Sequence, residues 1–540
     1  MTGSDSEPDV LVIGAGPSAL TAATVLADHG IACRVVGAGP GPTTQSRALV
    51  VQSRTLELWH KLGLADGAIR AGQIVDGAVG VLDGTVVNRG RPVLNFATMG
   101  VGQTPYPFLL IHEQSRTEAM LLERLDAAGR SVDWNTRAVG LRQHRDAVEV
   151  TLRRADGSEE TVRPRWVIGA DGASSTVRHA LGLSYDGDTY ETAFFLADAA
   201  VDWELGHDQL YLALTDTGTF LFVPMRDEAT GDRRFRILAS LPPEVAAKER
   251  LELADVQDAV DRTSGVRARV SDPRWISLYR LHHRLAEHFR VGRVFLAGDA
   301  AHIHSPVGGQ GMNTGIQDAY NLAWKLALVV RGQAWPELLE SYEAERMPVA
   351  RALLHGTDRA FGIIVSKSRA VRWGRKVAVH AVPRVLRLLP TDARRLFAMV
   401  SQIGITYAGA APAADPGGPV PRAGDRAPHA VFAAGPNAGR SVLDLFGGPG
   451  HHLLVLPAAH ADLGAALVAV KAQLGRFALD VDVHVVDADE TAIHRAYGAR
   501  RPSLALVRPD GYLAWRGSLD AAERLGAHLS RWYTTAEETS

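Results

Sequence analysis

The sequence is almost without cysteine, since Cys33 is the only one among its 540 residues. A single thiol excludes internal disulfides, cysteine-rich zinc sites and CxxC redox pairs. Because Cys33 lies within an apolar strand pattern, we expect a small buried side chain there rather than a reactive group.

The sequence also lacks an excess of either charge and any long hydrophobic run. Its 58 Lys and Arg residues nearly balance its 60 Asp and Glu residues, for a formal net charge of -2. No uncharged apolar stretch approaches the roughly 20 residues that span a bilayer. We therefore expect neither nucleic acid nor a membrane among its partners, and predict a soluble, cytoplasmic protein that binds a small molecule.

What the sequence does contain begins with "DVLVIGAGPSALTAATVLAD", the pattern of a buried strand, a glycine turn and a helix. Gly14 and Gly16 allow a tight turn and a close approach of the backbone to a pyrophosphate, and Ala19 is a tolerated third position. The next strand pattern ends on Gly37 and Ala38, where such a unit usually offers a carboxylate to a ribose. The sequence thus predicts a bound dinucleotide with one usual anchor missing.

Two further glycine-rich segments follow strand patterns. In the first, "GADGASSTVR", Asp171 and Ser174 can simply bond a turn and cap a helix. In the second, "GRVFLAGDAAHIHSPVGGQGMN", a strand ends at Asp299, and a loop too rich in glycine for ordinary packing opens a helix. Asp299 can bind polyol hydroxyls, while backbone N–H groups at the helix start can hold negative charge.

The rest of the chain divides into segments that differ in composition and in secondary-structure pattern. Strand-like runs over about residues 190–279 predict a mostly antiparallel sheet inserted into a discontinuous α/β domain. An Ala, Pro and Gly-rich stretch before residue 420 is typical of a linker to a small α/β domain. The basic helical pattern in 351–405 favours a solvated face or a subunit contact over a nucleic-acid site. The predicted domains are 1–185 and 286–410 (dinucleotide domain, the second part with a helical segment), 186–285 (inserted sheet) and 420–540 (C-terminal domain).

Taken together, in this order and spacing, the three glycine-rich segments resemble those of group A flavoprotein aromatic hydroxylases of the phenol hydroxylase and para-hydroxybenzoate hydroxylase type. The likeness covers roughly residues 9–350. Residues 420–540 resemble the thioredoxin-like C-terminal domain of the phenol hydroxylase branch. The lack of cysteine there excludes a redox role and favours a structural one. The resemblance implies a Rossmann-like FAD-binding domain with an inserted substrate domain.

The same resemblance implies an FAD-dependent monooxygenase, active as a monomer or homo-oligomer. It would use NADPH or NADH and dioxygen to hydroxylate a small aromatic substrate, phenolic or polyketide-like, through a flavin C4a-hydroperoxide. Baeyer–Villiger oxygenation or epoxidation on the same fold stays open as an alternative. So do a flavin reductase or dehydrogenase that does not activate oxygen, and a non-catalytic nucleotide-binding scaffold.

Cofactor contacts are implied by the resemblance residue by residue. Asp299 would bind the ribityl hydroxyls, and the backbone from Gly309 to Asn313 would face the flavin ring. Asp171 and Arg178 would support the cofactor and the approach of NAD(P)H. The cofactor-binding residues so predicted are Gly14, Gly16, Pro17, Ser18, Ala19, Arg47, Gln114, Asp171, Asp299, Pro306, Gly309, Gly311, Met312 and Asn313.

No catalytic side chain can be named, because the flavin itself would carry the reaction. Tyr211 and Phe222 in the inserted sheet, with Pro306 in the loop, are candidates to line the substrate pocket, although core packing explains the two aromatic side chains equally well. His302 and His304 have no carboxylate or third ligand at metal spacing, so no metal site is predicted.

Overall fold

The structure is a computed structural model. It describes residues 7–44, 47–215, 219–226, 231–241, 245, 248–305, 308–366, 368–410, 421–458 and 463–539. Pro306, a predicted pocket and cofactor residue, lies outside the described residues. No helix among the described residues is both long and apolar enough to cross a bilayer.

The helices include two, the first and the eighth, that pack against each other and share the main core with the central sheet. They are α1 Pro17–Asp28, α2 Ser53–Lys61, α3 Ala65–Ala71, α4 Phe96–Gly100, α5 Gln114–Ala127, α6 Thr176–Ala180, α7 Leu253–Ala259, α8 Gly311–Val330, α9 Glu340–Val365, α10 Arg369–Leu388, α11 Pro390–Val400, α12 Leu463–Leu474, α13 Thr491–Ala496, α14 Ala522–Ser530 and α15 Ala536–Thr539.

The strands are short except for two long neighbours in the inserted sheet. They are β1 Val10–Ile13, β2 Cys33–Val36, β3 Val50–Val51, β4 Gln73–Val75, β5 Gly77–Leu82, β6 Thr85–Val86, β7 Leu94–Asn95, β8 Leu109–Ile111, β9 Val132–Asp133, β10 Thr136–Gln143, β11 Val148–Arg154, β12 Glu159–Val162, β13 Trp166–Gly169, β14 Tyr185–Trp203, β15 Leu210–Leu214, β16 Thr219–Arg226, β17 Arg233–Ser240, β18 Ala268–Ala286, β19 Arg290–Val291, β20 Val294–Leu296, β21 His302–Ile303, β22 His451–Leu456, β23 Val481–Val485, β24 Ser503–Val507 and β25 Leu513–Ser518.

The central sheet of the first domain has the order β19-β20-β13-β1-β2-β9. Strand β1 lies between β13 and β2 and is parallel to both. All four of its residues are buried, as expected for a parallel strand covered on both faces. The glycine turn after β1, the end of β13 and the end of β20 therefore lie at one edge of the sheet, where ligands bind in open α/β sheets.

The inserted sheet has the order β21-β18-β14-β17-β16-β15-β5-β6, with β7 beside β5. Its pairs are antiparallel except β15 with β5, which confirms the mostly antiparallel prediction. The sheet also includes β5, β6 and β7, from residues 77–95 of the predicted first domain. No local sequence pattern assigned these strands to the inserted sheet. Strand β21 pairs with the end of β18, so the segment leading into the glycine-rich loop extends this sheet.

The C-terminal sheet, in the order β23-β22-β24-β25, is part of the predicted α/β domain. Its thioredoxin-like character and the exact domain bounds stay predictions. The domain meets the first through a group of charged residues, buried except for the half-buried Arg426, that we call the ionic interface. Its members are Arg54, Glu57, Lys325 and Glu345 from the first domain with Arg426, Arg508 and Asp510 from the C-terminal part.

Local patterns locate several elements closely. The sequence "SRTLELWHK" is typical of a helix and forms α2, and Asp156-Gly157, a pair typical of a hairpin turn, joins β11 to β12. Asp156 accepts a hydrogen bond from the Ser158 backbone, and Gly157 takes a positive φ of 84°. Cys33 is buried in β2, as predicted.

Candidate functional site

The turn after β1 has the backbone that a pyrophosphate-binding turn requires. Gly14 has a φ of 123°, and a Cβ there would lie 2.2 Å from the Ala170 carbonyl oxygen. Gly16 caps α1 and has open space where its Cβ would be, and Pro17 occupies the first turn. Because the first N–H groups of α1 lack intrahelical partners, they are available to an anion in this space.

Ser18 and Ala19 have packing roles next to that turn. A Cβ added to Gly298 or Gly315 would lie 2.5 or 2.4 Å from Ser18 Oγ, so α1, α8 and the turn after β20 approach one another closely. Ala19 is fully buried in the core. The small Ala19 thus allows α1 to approach the central sheet, and Ser18 fills the space between α1, α8 and the turn after β20.

Asp299 projects from the turn after β20 at the same sheet edge. Its side chain is exposed beside the glycine turn after β1, in a region that we call the cleft, and the structure gives its carboxylate no partner among the described residues. Although the side chain is exposed, desolvation by the surrounding protein atoms raises the pKa of this carboxyl, while His302 and Arg47 lower it. A carboxylate so placed can accept hydrogen bonds from the hydroxyls of a polyol.

The Asp299 turn is braced by two side chains from elsewhere. Arg178 donates hydrogen bonds to the carbonyl oxygens of Ala300 and Ala173 at 3.0 and 2.9 Å. Its guanidinium lies 3.8 Å from the centroid of the Tyr185 ring, and Tyr185 donates to the Asp299 carbonyl oxygen at 2.7 Å. The sequence indicated Arg178 but not Tyr185, whose role depends on how β14 enters the inserted sheet.

The glycine-rich loop is held by Asn313 at the start of α8. Its amide nitrogen donates to the carbonyl oxygens of Val50 and Gly309, each at 2.8 Å, and its amide oxygen accepts from the Gln52 backbone. A Cβ on Gly309, whose φ is 62°, would lie 2.6 Å from Val50 Cβ. Glycine is therefore required here by both conformation and space.

The first turn of α8 points its unpaired N–H groups toward the loop and the cleft. Gly311 and Met312 open this helix, and Met312 packs on the main core. Positive electrostatic potential at this helix start favours a bound group that develops negative charge.

His302 anchors the loop to α8. Its Nε2 lies 2.6 Å from a carboxylate oxygen of Asp318, which also accepts from Arg346 at 2.7 Å. Burial raises the pKa of Asp318, but Arg346 and His302 outweigh it and hold the value at about 2. The carboxylate is thus ionised and fixes α8 to the loop.

His304 presents an unused acceptor. Its Nδ1 lies 3.0 Å from the Ser305 carbonyl oxygen and must donate to it, which leaves Nε2 as the acceptor. That Nε2 is buried without a partner among the described residues, and the ring lies against Gly311. Burial lowers the pKa of His304 to about 4, so the ring is neutral.

Arg47 and Gln114 lie on neighbouring segments beside this cleft. Arg47 is exposed, lies close enough to influence the pKa of Asp299, and its carbonyl oxygen accepts from Arg236. The Gln114 side chain accepts from the Ala48 backbone at 3.2 Å and donates to Glu118. Gln114 thus fixes the segment that carries Arg47.

The carboxylate of Asp171 accepts hydrogen bonds from the residues at the start of α6. It accepts from the Ser175 hydroxyl at 2.5 Å and from the backbone of Thr176 at 2.7 Å. Ser175, not the predicted Ser174, caps α6 by accepting from the Arg178 backbone. Asp171 therefore acts as a structural cap that positions Arg178, and a direct contact with cofactor stays a prediction.

Tyr211 and Phe222 lie on the face of the inserted sheet that packs in its own core. Both are buried, and Trp203 lies 5.1 and 4.9 Å from their rings, centroid to centroid. Their neighbours Leu210 and Val223 belong instead to the core on the opposite face. Because successive side chains of a strand alternate between faces, Tyr211 and Phe222 both face the sheet's own core, and a place for them in the substrate pocket stays a prediction.

The end of β2 explains why a carboxylate is missing. Gly37 is buried, and its φ lies outside the left-handed region. A Cβ at this position would lie 2.9 Å from the Trp134 ring and 3.0 Å from Ala15 Cβ. Trp134, directly after β9, therefore fills the space that a side chain at residue 37 would need.

A cluster of metal-type ligands lies in the C-terminal sheet, far along the chain from this cleft. The ligand atoms of His452, Asp482 and His484 all lie within 4.8 Å of one another, and the two imidazoles approach to 3.2 Å. A hydrogen bond between two neutral histidines accounts for that distance. The absence of a metal stays a prediction.

The cleft as a whole fits the cofactor implied by the sequence. Two helix starts, an open glycine turn and an unpartnered carboxylate meet at one sheet edge. Helix starts suit a pyrophosphate and the pyrimidine end of a flavin, and the carboxylate suits the ribityl chain between them. This fit to the cofactor depends only on the chemistry of the residues named above.

Comparisons with known proteins agree along the whole chain. A family profile described as "FAD binding domain" matches residues 7–357, and one described as "Aromatic-ring hydroxylase, C-terminal" matches residues 420–536. The chain is 36% identical to 6-methylpretetramide 4-monooxygenase of Streptomyces rimosus, over 99% of this chain and 95% of that protein. It is 31% identical to pentachlorophenol 4-monooxygenase of Sphingobium chlorophenolicum, over 97% and 96%.

A solved structure gives the same result for the fold. The ternary complex of aklavinone-11 hydroxylase with FAD and aklavinone superposes with a TM-score of 0.77 at 29% identity, covering 98% of this chain and 99% of that one. The match extends over the cleft, the inserted sheet and the C-terminal part together.

Proposed function

Because the chain belongs to the FAD-dependent aromatic-ring hydroxylases, a family of flavin monooxygenases, we propose that it hydroxylates a phenolic or polyketide-type aromatic substrate with NAD(P)H and dioxygen. The observation that carries this proposal is the nearly full-length likeness to a monooxygenase named for a polyketide-type substrate, with the FAD cleft described above. Bound FAD would supply the redox chemistry and activate oxygen.

The substrate would bind on the face of the inserted sheet opposite Tyr211. Phe194 and Tyr279, on paired strands, place their ring centroids 6.2 Å apart, and Leu238 and Tyr190 join them in a small apolar cluster. The strand β18, which carries Tyr279, pairs at its end with β21, and β21 leads into the glycine-rich loop. An apolar surface of this kind accepts an aromatic ring and keeps water from the reacting atoms.

Two polar atoms, one on β18 and one at the glycine-rich loop, would each bind a hydroxyl at a different position of the substrate. The Tyr279 hydroxyl is buried without a partner among the described residues, and burial raises its pKa, so it stays a neutral donor. The neutral His304 offers the acceptor Nε2 described above. A phenol or enol that donates to His304 would have its oxygen made more electron-rich, which favours attack by its ring on an electrophilic oxygen.

The adenosine end would be held without the usual carboxylate. We infer that the indole of Trp134 packs against the adenosine in place of a charged residue, because it fills the space beside Gly37 at the end of β2. Asp133, the nearest carboxylate along the chain, is already paired with Arg34 at 2.7 Å. Stacking of a base on an aromatic ring contributes about 1 to 3 kcal/mol.

The reaction is tested by screening phenols, naphthols and hydroxyanthraquinones for substrate-dependent NAD(P)H oxidation, dioxygen uptake and product mass. We expect one oxygen atom added with all carbonyl groups retained. A lactone or ester product would indicate Baeyer–Villiger chemistry, and NAD(P)H oxidation that needs no dioxygen would indicate a reductase. Tyr279→Phe should lower kcat/KM, whereas the matched variant Tyr211→Phe, on the opposite face of the sheet, should leave it unchanged.

The adenosine contact is tested by flavin titration of single and double variants. Trp134→Ala should weaken FAD binding but leave FMN binding unchanged, since FMN has no adenosine. Gly37→Glu alone should also weaken FAD binding, because the side chain collides with Trp134. In the double variant the collision is removed, and FAD affinity should recover relative to either single change. Additive losses would contradict the proposed contact.

A further inference from the structure

Charge is distributed very unevenly after the cofactor domain. From residue 359 to residue 391 the sequence contains eight Lys and Arg residues and no Asp or Glu, although the chain as a whole has a formal net charge of -2. Helix α10 forms most of this segment. Local charge of one sign therefore coincides with one element of the fold.

The same helix exposes large apolar side chains. Trp373 and Leu388 are 70% and 79% exposed, and Val377 and Val385 are 44% and 45% exposed. At about 100° per residue, these four positions fall within about one third of the helix circumference. They form a continuous stripe, which we call the apolar stripe of α10, on a helix about 30 Å long.

A different face of α10 attaches it to the protein. Val379 packs on Gly80 so closely that a Cβ on that glycine would lie 3.1 Å from Val379 Cγ1. Pro383 is buried, Leu386 joins a core cluster, and Lys376 forms an ion pair with Asp83 at 2.7 Å. The apolar stripe is thus not needed to attach the helix.

We propose that α10 is an interfacial helix that places its apolar stripe on an anionic lipid surface. The exposed side chains of His380, Arg384 and Arg387 lie in or beside the stripe, where cations can meet lipid headgroups while Trp373 and Leu388 enter the boundary with the acyl chains. Docking of a second copy through the same stripe is disfavoured, because a two-fold axis would oppose two basic segments without an acidic residue between them. The inference is independent of the flavin reaction.

The test is cosedimentation of the FAD-loaded full chain with vesicles of phosphatidylcholine alone and of phosphatidylcholine with phosphatidylglycerol. We expect binding to the anionic vesicles that weakens in 0.5 M salt, and little to the neutral ones. The double variant Trp373→Ser/Leu388→Ser should lower the bound fraction at least about tenfold. The matched control Val468→Ser, at a residue that is also 70% exposed but lies on the C-terminal domain, should leave it unchanged.

Arg384→Gln/Arg387→Gln should remove the preference for anionic lipid while the flavin absorbance stays unchanged. Absence of binding to anionic vesicles, or equal binding by the Trp373→Ser/Leu388→Ser variant, would overturn the proposal. So would a change of oligomeric state in that variant, which would identify the stripe as a contact between copies. Equal capture by an acidic polypeptide such as polyglutamate would identify an acidic protein partner instead.

Discussion

Two regions of this protein both exclude water, but one is held together by buried ion pairs and the other by aromatic packing. The ionic interface joins residues from distant parts of the chain through charges: Glu345 accepts from Lys325 at 2.7 Å and from Arg508 at 2.6 Å. The core of the inserted sheet instead packs aromatic rings edge-on or tilted against one another, with the Trp203 ring centroid 4.8 Å from that of Phe235 and 4.9 Å from that of Phe222.

The comparison shows what each chemistry provides. An aromatic core tolerates exchange among apolar side chains of similar size, because its attraction has little direction. A buried charge requires its partner in place, since leaving it unpaired costs several kcal/mol. The ionic interface therefore fixes how the C-terminal domain is seated against α8 and α9, whereas the aromatic core holds one sheet together.

The largest expected effect is at Arg508. Arg508→Met keeps much of the length and apolar volume of the side chain but leaves Glu345 and Asp510 buried without their main cation, which should cost about 3 to 5 kcal/mol of unfolding free energy. Urea unfolding monitored by far-UV circular dichroism measures it. A loss below about 1 kcal/mol, similar to a surface substitution, would remove the ionic interface from the determinants of stability.

Asp299 tests a charge that lies outside both regions and has no partner to lose. Asp299→Ala should leave the unfolding free energy of the flavin-free protein nearly unchanged, while FAD affinity falls by about 1 to 3 kcal/mol as ribityl hydroxyls lose their acceptor. A flavin titration beside a denaturation curve separates the two effects. Asp83→Ala, at an exposed carboxylate paired with Lys376, is the control that should retain FAD.

Phe222→Leu is the apolar counterpart of the Arg508 variant. It exchanges one buried apolar side chain for another, so the unfolding free energy should fall by about 1.5 kcal/mol or less. FAD affinity and kcat/KM should hold, because Phe222 faces the sheet's own core. A large rise in KM for the aromatic substrate, without loss of stability, would instead support the prediction that Phe222 lines the pocket.

Acid should affect the C-terminal domain through its buried histidines. Burial lowers the pKa of His451 to about 3 and that of His528 to about 4, below the unfolded value of 6.5. The unfolded chain therefore binds more protons as pH falls, and each histidine removes stability between pH 6.5 and its folded pKa, at about 1 kcal/mol per pH unit. His528→Gln should reduce the fall in thermal midpoint between pH 7.5 and 5.5, and an unchanged fall would contradict this origin.

Local patterns were sufficient where function depends on neighbouring residues. The strand, turn and helix around Gly14 and Gly16, the turn after β20 that carries Asp299, and the glycine-rich start of α8 are encoded in short segments whose chemistry is readable in sequence. The inserted sheet and the separate C-terminal part follow from strand periodicity and from a change of composition. The strands that residues 77–95 add to the inserted sheet do not follow from local patterns, because their pairing partners lie far away in the chain.

Sequence alone thus determined the family and the FAD cofactor of this protein, and it predicted the glycine turns and the carboxylate that would hold that cofactor. Tertiary structure decided what each side chain faces. It placed Tyr211 and Phe222 on the sealed face of their sheet, set Trp134 beside Gly37, and brought Arg508 to Glu345 across 163 positions of the chain. The physical reason is that alternation and local propensity fix a residue's conformation, whereas the direction of burial and the partner of a charge depend on distances that only the folded chain defines.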